Sequence, residues 1–135
     1  MPLGSSSGSG IGVAAGFAPI SIGSETAGSL ISPANRAGLY ALKCTHGSIP
    51  VDGVWKLSIP FDCLGGMAKS TKDLAVLTEI IQDRPSGSLQ RHLDEDYSSI
   101  RVGFIEAPEW KLVNEWMPCD EQAVDEMVST SLTIK

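Results

Sequence analysis

Two glycine- and serine-rich segments lie close together near the start of this chain, and together they limit what it can fold into. The first is Gly4-Ser5-Ser6-Ser7-Gly8-Ser9-Gly10 and the second is Gly23-Ser24-Glu25-Thr26-Ala27-Gly28-Ser29. Between them, Ile11 to Ala18 is small and apolar all round, which predicts a short buried helix packed against a sheet. Pro19 stops that helix, and Ile20-Ser21-Ile22-Gly23 reads as a short buried strand with isoleucine in and serine out. Loop, helix, strand and loop in so few residues can carry hydroxyls from both loops to one spot, and two hydroxyls ringed by backbone N–H groups are parts of an acyl-transfer site.

Composition alone leaves the first segment open to three readings. A Gly/Ser run is the composition of a flexible linker. A glycine-rich loop before a helix also presents N–H groups to anions, but no G-K-[ST] follows, and Gly8-x-Gly10-x-Gly12 is not G-x-G-x-x-G. The third reading is a catalytic loop. Around Ser29 the run Ala27-Gly28-Ser29-Leu30-Ile31 is not the G-x-S-x-G elbow, and His46 and His92 have no aspartate at a suggestive spacing. A nucleophilic Ser29 therefore needs a base other than histidine, and a second serine leading to a lysine is one such arrangement.

Downstream, Leu30 to Gly38 predicts a short helix beginning near Pro33 and ending at Gly38, and Leu39 to Thr45 a strand. Residues 46–66, with Gly47, Pro50, Gly53, Pro60, Gly65 and Gly66, read as loop. Ser70-Thr71-Lys72-Asp73 is a capping signal that opens an amphipathic helix to about Gln82, with Leu74, Val76, Leu77 and Ile80 on its apolar side. Residues 83–99 read as an exposed connection. Ile100 to Ile105 is an alternating strand, and a helix with Asp120 and Glu121 in its first turn starts at Pro118. The alternation predicts a layered α/β fold with a largely parallel or mixed sheet and exposed sheet edges.

The bulk numbers exclude several functions. The 135 residues suit one domain, and the net charge of −6 is concentrated at the end, where residues 91–135 carry four basic and ten acidic side chains. With no Lys/Arg cluster, nucleic acid is not an expected partner. Cys44, Cys63 and Cys119 form no C-x-x-C and no zinc pattern with the histidines, so no metal is expected. An odd cysteine count, no signal peptide and no span-length apolar run predict a soluble, cytoplasmic chain.

Several collinear stretches resemble the amidase signature family. They are Gly4 to Gly10, Ala14 to Ser29 (AAGFAPISIGSETAGS), Pro33-Ala34, Leu39 to Lys43 (LYALK) and Ser58 to Thr71 (SIPFDCLGGMAKST), with the Arg101-Val-Gly-Phe strand following. The Ile-Gly-x-Glu-Thr run and Arg36 to Lys43 are most similar to fungal members. The resemblance implies the middle part of that family's α/β/α domain. Within it, residues 1–45 are the signature core, 46–82 a loop and amphipathic helix, 83–99 the connection, and 100–135 a strand and acidic helix.

The resemblance further implies hydrolysis of carboxamide C–N bonds by a Ser–cis-Ser–Lys triad without a cofactor. Ser29 is then the nucleophile and Ser5 the bridging serine, with the backbone N–H groups of Thr26, Ala27, Gly28 and Ser29 as oxyanion hole. Ser6 and Ser7 are expected to be loop hydrogen-bonders and Ser9 a helix N-cap. The family's lysine belongs to an upstream segment that this chain is expected to lack, and Lys43 is read as structural. Ile31, where some members carry an arginine, points to a neutral or apolar small-molecule amide. The alternatives are a truncated, non-catalytic relative that associates through exposed sheet edges, and an anion-binding module on the Gly/Ser loop.

Overall fold

The computed structural model describes residues 3–96 and, beyond them, Ser98, Arg101, Gly103, Gln122, Asp125, Glu126, Val128 and Ser129. The chain divides into two compact units, Met1–Glu95 and Asp96–Lys135. In the first, the order is α1 (Ser7–Ala14), β1 (Ile20–Glu25), α2 (Ile31–Arg36), β2 (Tyr40–Lys43), β3 (Cys63–Ala68) and α3 (Thr71–Ile81), followed by a 3₁₀ turn at Gln90–His92. In the second, Gln122, Asp125, Glu126, Val128 and Ser129 are helical, within the acidic helix expected there. The expected strand Ile100–Ile105, apart from Arg101 and Gly103, lies outside the described residues.

The three strands form one sheet in the order β1-β3-β2. β3 is central and antiparallel to both neighbours, pairing Gly65 with Gly23 on one side and with Lys43 on the other. A strand at Cys63–Ala68 corrects the reading of 46–66 as loop throughout. Gly65 and Gly66 look like turn residues, but here they let neighbours approach both faces of a central strand. A Cβ on Gly65 would overlap the Leu42 carbonyl oxygen, and one on Gly66 would sit 2.6 Å from Leu77 Cδ2 of α3. Helices α1 and α2 thus cover one face of the sheet and α3 the other.

The core on the α1/α2 side is Leu30, Ala34 and Met67, with Leu39 and Ala41 packed against it. Strand β1 runs in the opposite phase to the one expected. Gly23 and Glu25 are buried and Ile22 is exposed, because the helix side of the sheet leaves room there only for glycine beside Leu30 and Ser6. Helix α1 starts earlier than expected and buries only Gly10 and Val13, while Ile11 and Phe17 are exposed. Helix α2 likewise begins before Pro33; it ends where Gly38 takes φ 65°, a left-handed conformation open to glycine.

Helix α3 begins as read: Ser70 is its N-cap, its hydroxyl accepting from the Asp73 N–H at 3.1 Å. The buried face differs, however. Ile80 is exposed and Glu79 is buried. The Glu79 carboxylate accepts the N–H groups of Gly87 (2.9 Å), Leu89 (2.6 Å) and Gln90 (3.1 Å) and the Gln90 amide (3.0 Å). One carboxylate therefore shapes the segment that the sequence presented as a plain exposed connection. Burial alone would raise the carboxyl pKa, but these donors outweigh it and lower the value from 4.5 to about 2. A depressed carboxyl stabilises the folded form fully above its ordinary pKa and ceases to do so as pH falls through the folded one. The amide resonances of Gly87 and Leu89 should accordingly hold steady down to pH 4.5 and shift with a midpoint near 2; a midpoint at the ordinary value would refute the anchoring role.

Candidate active site

The first Gly/Ser segment forms the entry to α1 and is laced to β1 by its serines. Ser6 Oγ accepts from the Ser24 N–H and donates to the Ser24 carbonyl, both at 3.2 Å. Ser7 Oγ donates to the Leu3 carbonyl at 3.0 Å. Ser6 is a loop hydrogen-bonder, as expected, whereas Ser7 is the first residue of α1 and its hydroxyl reaches back to the loop. Ser9 is not the helix N-cap: it lies inside α1, and its hydroxyl donates to the Ile22 carbonyl at 2.9 Å. Ser6 occupies the cap position without a side-chain cap bond, since its hydroxyl is committed to Ser24. Ser21 completes the lacing by donating to the Ser9 carbonyl at 3.0 Å. A linker makes no such bonds.

This lacing carries Ser5 to the second loop. The Gly4–Ser5 peptide bond is cis, and the next N–H, that of Ser6, donates to the Ser29 carbonyl at 2.9 Å. Exposed Ser5 and half-buried Ser29 line one cleft of about 200 Å³, together with Thr26, Lys56 and Asp62 and the apolar side chains Val51, Val54, Trp55 and Leu57. The sequence pointed to both serines, and the fold brings them together.

The loop carrying Ser29 is held from beneath by Glu25, whose side chain is only 7% exposed. Its Oε2 accepts the N–H groups of Leu30 and Ile31, each at 2.9 Å. Its Oε1 lies 3.6 Å from Lys43 Nζ. Burial pushes the Glu25 carboxyl up, but the N–H groups of Ile31, Gly28 and Leu30 and the Lys43 charge together hold it below the usual range. Gly28 itself takes φ 81°, which reverses the chain into α2. Among the described residues, the N–H groups of Thr26, Ala27 and Ser29 donate to no protein atom.

Two further side chains enter the loop from outside. Lys43, at the end of β2, donates from Nζ to the Thr26 carbonyl at 2.8 Å, in keeping with its structural reading. Asp62 accepts the Thr26 hydroxyl on one oxygen and the N–H groups of Leu57 (2.6 Å) and Ser58 (2.9 Å) on the other. The Thr26 hydroxyl first, then these N–H groups, hold its carboxyl below the ordinary range. Sequence reasoning assigned no role to Glu25 or Asp62. Both lie in stretches that bear the family resemblance, but an acidic residue in a loop has no periodic signal that it faces inward. No group of three His, Cys, Asp or Glu side chains that could hold a metal is present among the described residues, nor is any helix there long and apolar enough to cross a membrane.

A model of the family described as Amidase matches residues 1–128. A glutamyl-tRNA(Gln) amidotransferase subunit from Deinococcus deserti is 35% identical over 98% of this chain and 27% of its own length. The chain therefore spans about a quarter of such relatives. Among solved structures, the peptide amidase of Stenotrophomonas maltophilia is 39% identical, with a TM-score of 0.59 over 64% of this chain and 18% of its own. A 6-aminohexanoate cyclic dimer hydrolase bound to substrate is 33% identical, with a TM-score of 0.55 over 62% of this chain and 18% of its own.

Proposed function

The chain belongs to the amidase family, and on that premise we propose that its first unit supplies the nucleophile and oxyanion hole of a site that hydrolyses carboxamide C–N bonds. The observation that carries the reading is the sharing of one cleft by Ser5 and Ser29, beside a loop whose Thr26, Ala27 and Ser29 N–H groups are unengaged among the described residues. In the proposed reaction, Ser29 Oγ attacks the amide carbon and its proton passes to Ser5 Oγ. The relay continues to a base outside the described residues, a lysine by the family resemblance. The carbonyl oxygen gains negative charge and is held by backbone N–H groups of the loop from Thr26 to Ser29. Collapse expels ammonia or an amine, which leaves protonated, and water then releases the acyl group from Ser29 as a carboxylic acid.

Substrate preference follows from the cleft walls. Val51, Val54, Trp55 and Leu57 offer apolar surface beside Lys56 and Asp62, and position 31 is an isoleucine. A neutral or apolar acyl group fits the apolar part of this lining. The names of the relatives, a peptide amidase and a cyclic dimer hydrolase, are in keeping with an amide substrate. The Ile22-to-Thr26 and Arg36-to-Lys43 runs carry the narrower, fungal-type assignment as part of this proposal.

A fluorophosphonate probe tests the reading, because its phosphorus accepts the same nucleophile and its oxygen occupies the same hole. Peptide mapping of the folded protein should place the adduct on Ser29, with none after heat denaturation. Folded protein that takes up no probe, or takes it up elsewhere, sinks the proposal and favours the non-catalytic alternative.

A further inference from the structure

Thr26 is gripped from two sides by charged side chains that belong to neither Gly/Ser segment. Lys43 Nζ donates to its carbonyl at 2.8 Å, and its hydroxyl donates to Asp62. The Thr26–Ala27 peptide bond is trans, since among the described residues only Gly4–Ser5 is cis. In a planar trans peptide the C=O and the following N–H point in opposite directions. An ammonium fixed on the Thr26 carbonyl therefore fixes the Ala27 N–H, which points the opposite way in the same plane. That N–H donates to no described atom, and Ala27 is exposed.

The grip is itself anchored. The Lys43 ammonium pairs with buried Glu25 at 3.6 Å, so it is held as well as holding. The second oxygen of Asp62 accepts the Leu57 and Ser58 N–H groups, which ties Thr26 to the loop bearing Trp55. A hydrogen bond with an ionised partner is roughly twice as strong as a neutral one. Two such bonds on one residue can keep a short loop from turning when charge develops nearby.

We infer that Lys43 and Asp62 are positioning residues that aim the Ala27 N–H at the developing oxyanion. Neither touches the reacting atoms. The inference rests on the amide-hydrolysis reading above. Its physical content is that an oxyanion donor works by being in place beforehand, so a donor free to swing loses much of its effect.

The test is the concentration dependence of Ser29 labelling by a fluorophosphonate. Lys43→Met should lower the limiting rate by about 10²–10³-fold, the range for loss of one oxyanion donor, and leave the half-saturating probe concentration unchanged. Lys43→Arg, which keeps a cationic donor, should recover most of the rate. Thr26→Val, which removes only the hydroxyl held by Asp62, should give a smaller loss in the same parameter. Lys43→Met leaves Glu25 buried and unpaired, which can unfold the protein. The double variant Glu25→Gln/Lys43→Met removes both charges and should show the same loss in a folded chain. A folded Lys43→Met or double variant that labels at the unsubstituted rate overturns the inference alone. An unsubstituted protein that never labels overturns the functional reading, and this inference with it.

Discussion

Ser29→Ala should abolish fluorophosphonate labelling, and Ser5→Ala should slow labelling of Ser29 by about 10²–10⁴-fold, the usual contribution of a positioned proton acceptor. The two losses differ in kind. Ser29 supplies the attacking oxygen, so nothing replaces it. Ser5 only accepts the proton, so water can take its place poorly. The lacing of α1 to β1 makes the comparison interpretable. Ser6, not Ser5, bonds to Ser24 and Ser29, and the loop is held together by bonds that do not use the Ser5 hydroxyl. Both variants should therefore melt like the unsubstituted protein, followed by circular dichroism, while probe mass spectrometry reads the rates. Equal labelling of the Ser5→Ala variant and its parent would remove Ser5 from the relay.

What could be read from the residues, and what could not, divides along physical lines. Both serines were legible because glycine punctuates their loops and the residues between admit only a short helix and a short strand. The Ser70 cap was legible because capping acts over three residues of local sequence. Strand β3 was not, since Gly65 and Gly66 signal a turn by propensity and a crowded central strand only when their neighbours are in view. The inward turn of Glu79 was hidden for a similar reason. Its partners, Gly87 to Gln90, follow the helix in sequence but act through backbone N–H groups that no side-chain pattern announces. Glu25 and Asp62 share this limit. Each satisfies backbone groups of a loop, and such bonds leave no period.

Gly65→Ala should destabilise the first unit by more than about 4 kcal/mol, the range reached only when a substitution forces a clash or cavity that the structure cannot absorb. The added methyl would overlap the Leu42 carbonyl oxygen and stand 2.7 Å from Leu30 Cδ2. The first neighbour is the backbone of β2, paired to β3, and the second belongs to a fully buried side chain of the core, so neither can step aside. Relief requires β2 to part from β3, which would also carry Lys43 away from Thr26 and Glu25. Two other glycines show that the effect belongs to the site and not to the residue type. At Gly66 the obstacles are the side-chain ends of Leu77 and Leu74, which can rotate, so alanine there should cost about 1–3 kcal/mol. At Gly12, inside α1, nothing outside the helix's own backbone lies within 4 Å of an added Cβ, and alanine should stabilise by roughly 0.5–1 kcal/mol. Urea unfolding of the three variants should rank them Gly12, Gly66, Gly65 in falling stability. A Gly65→Ala protein that unfolds at the parent's midpoint would mean that β3 is not packed between β1 and β2 as described.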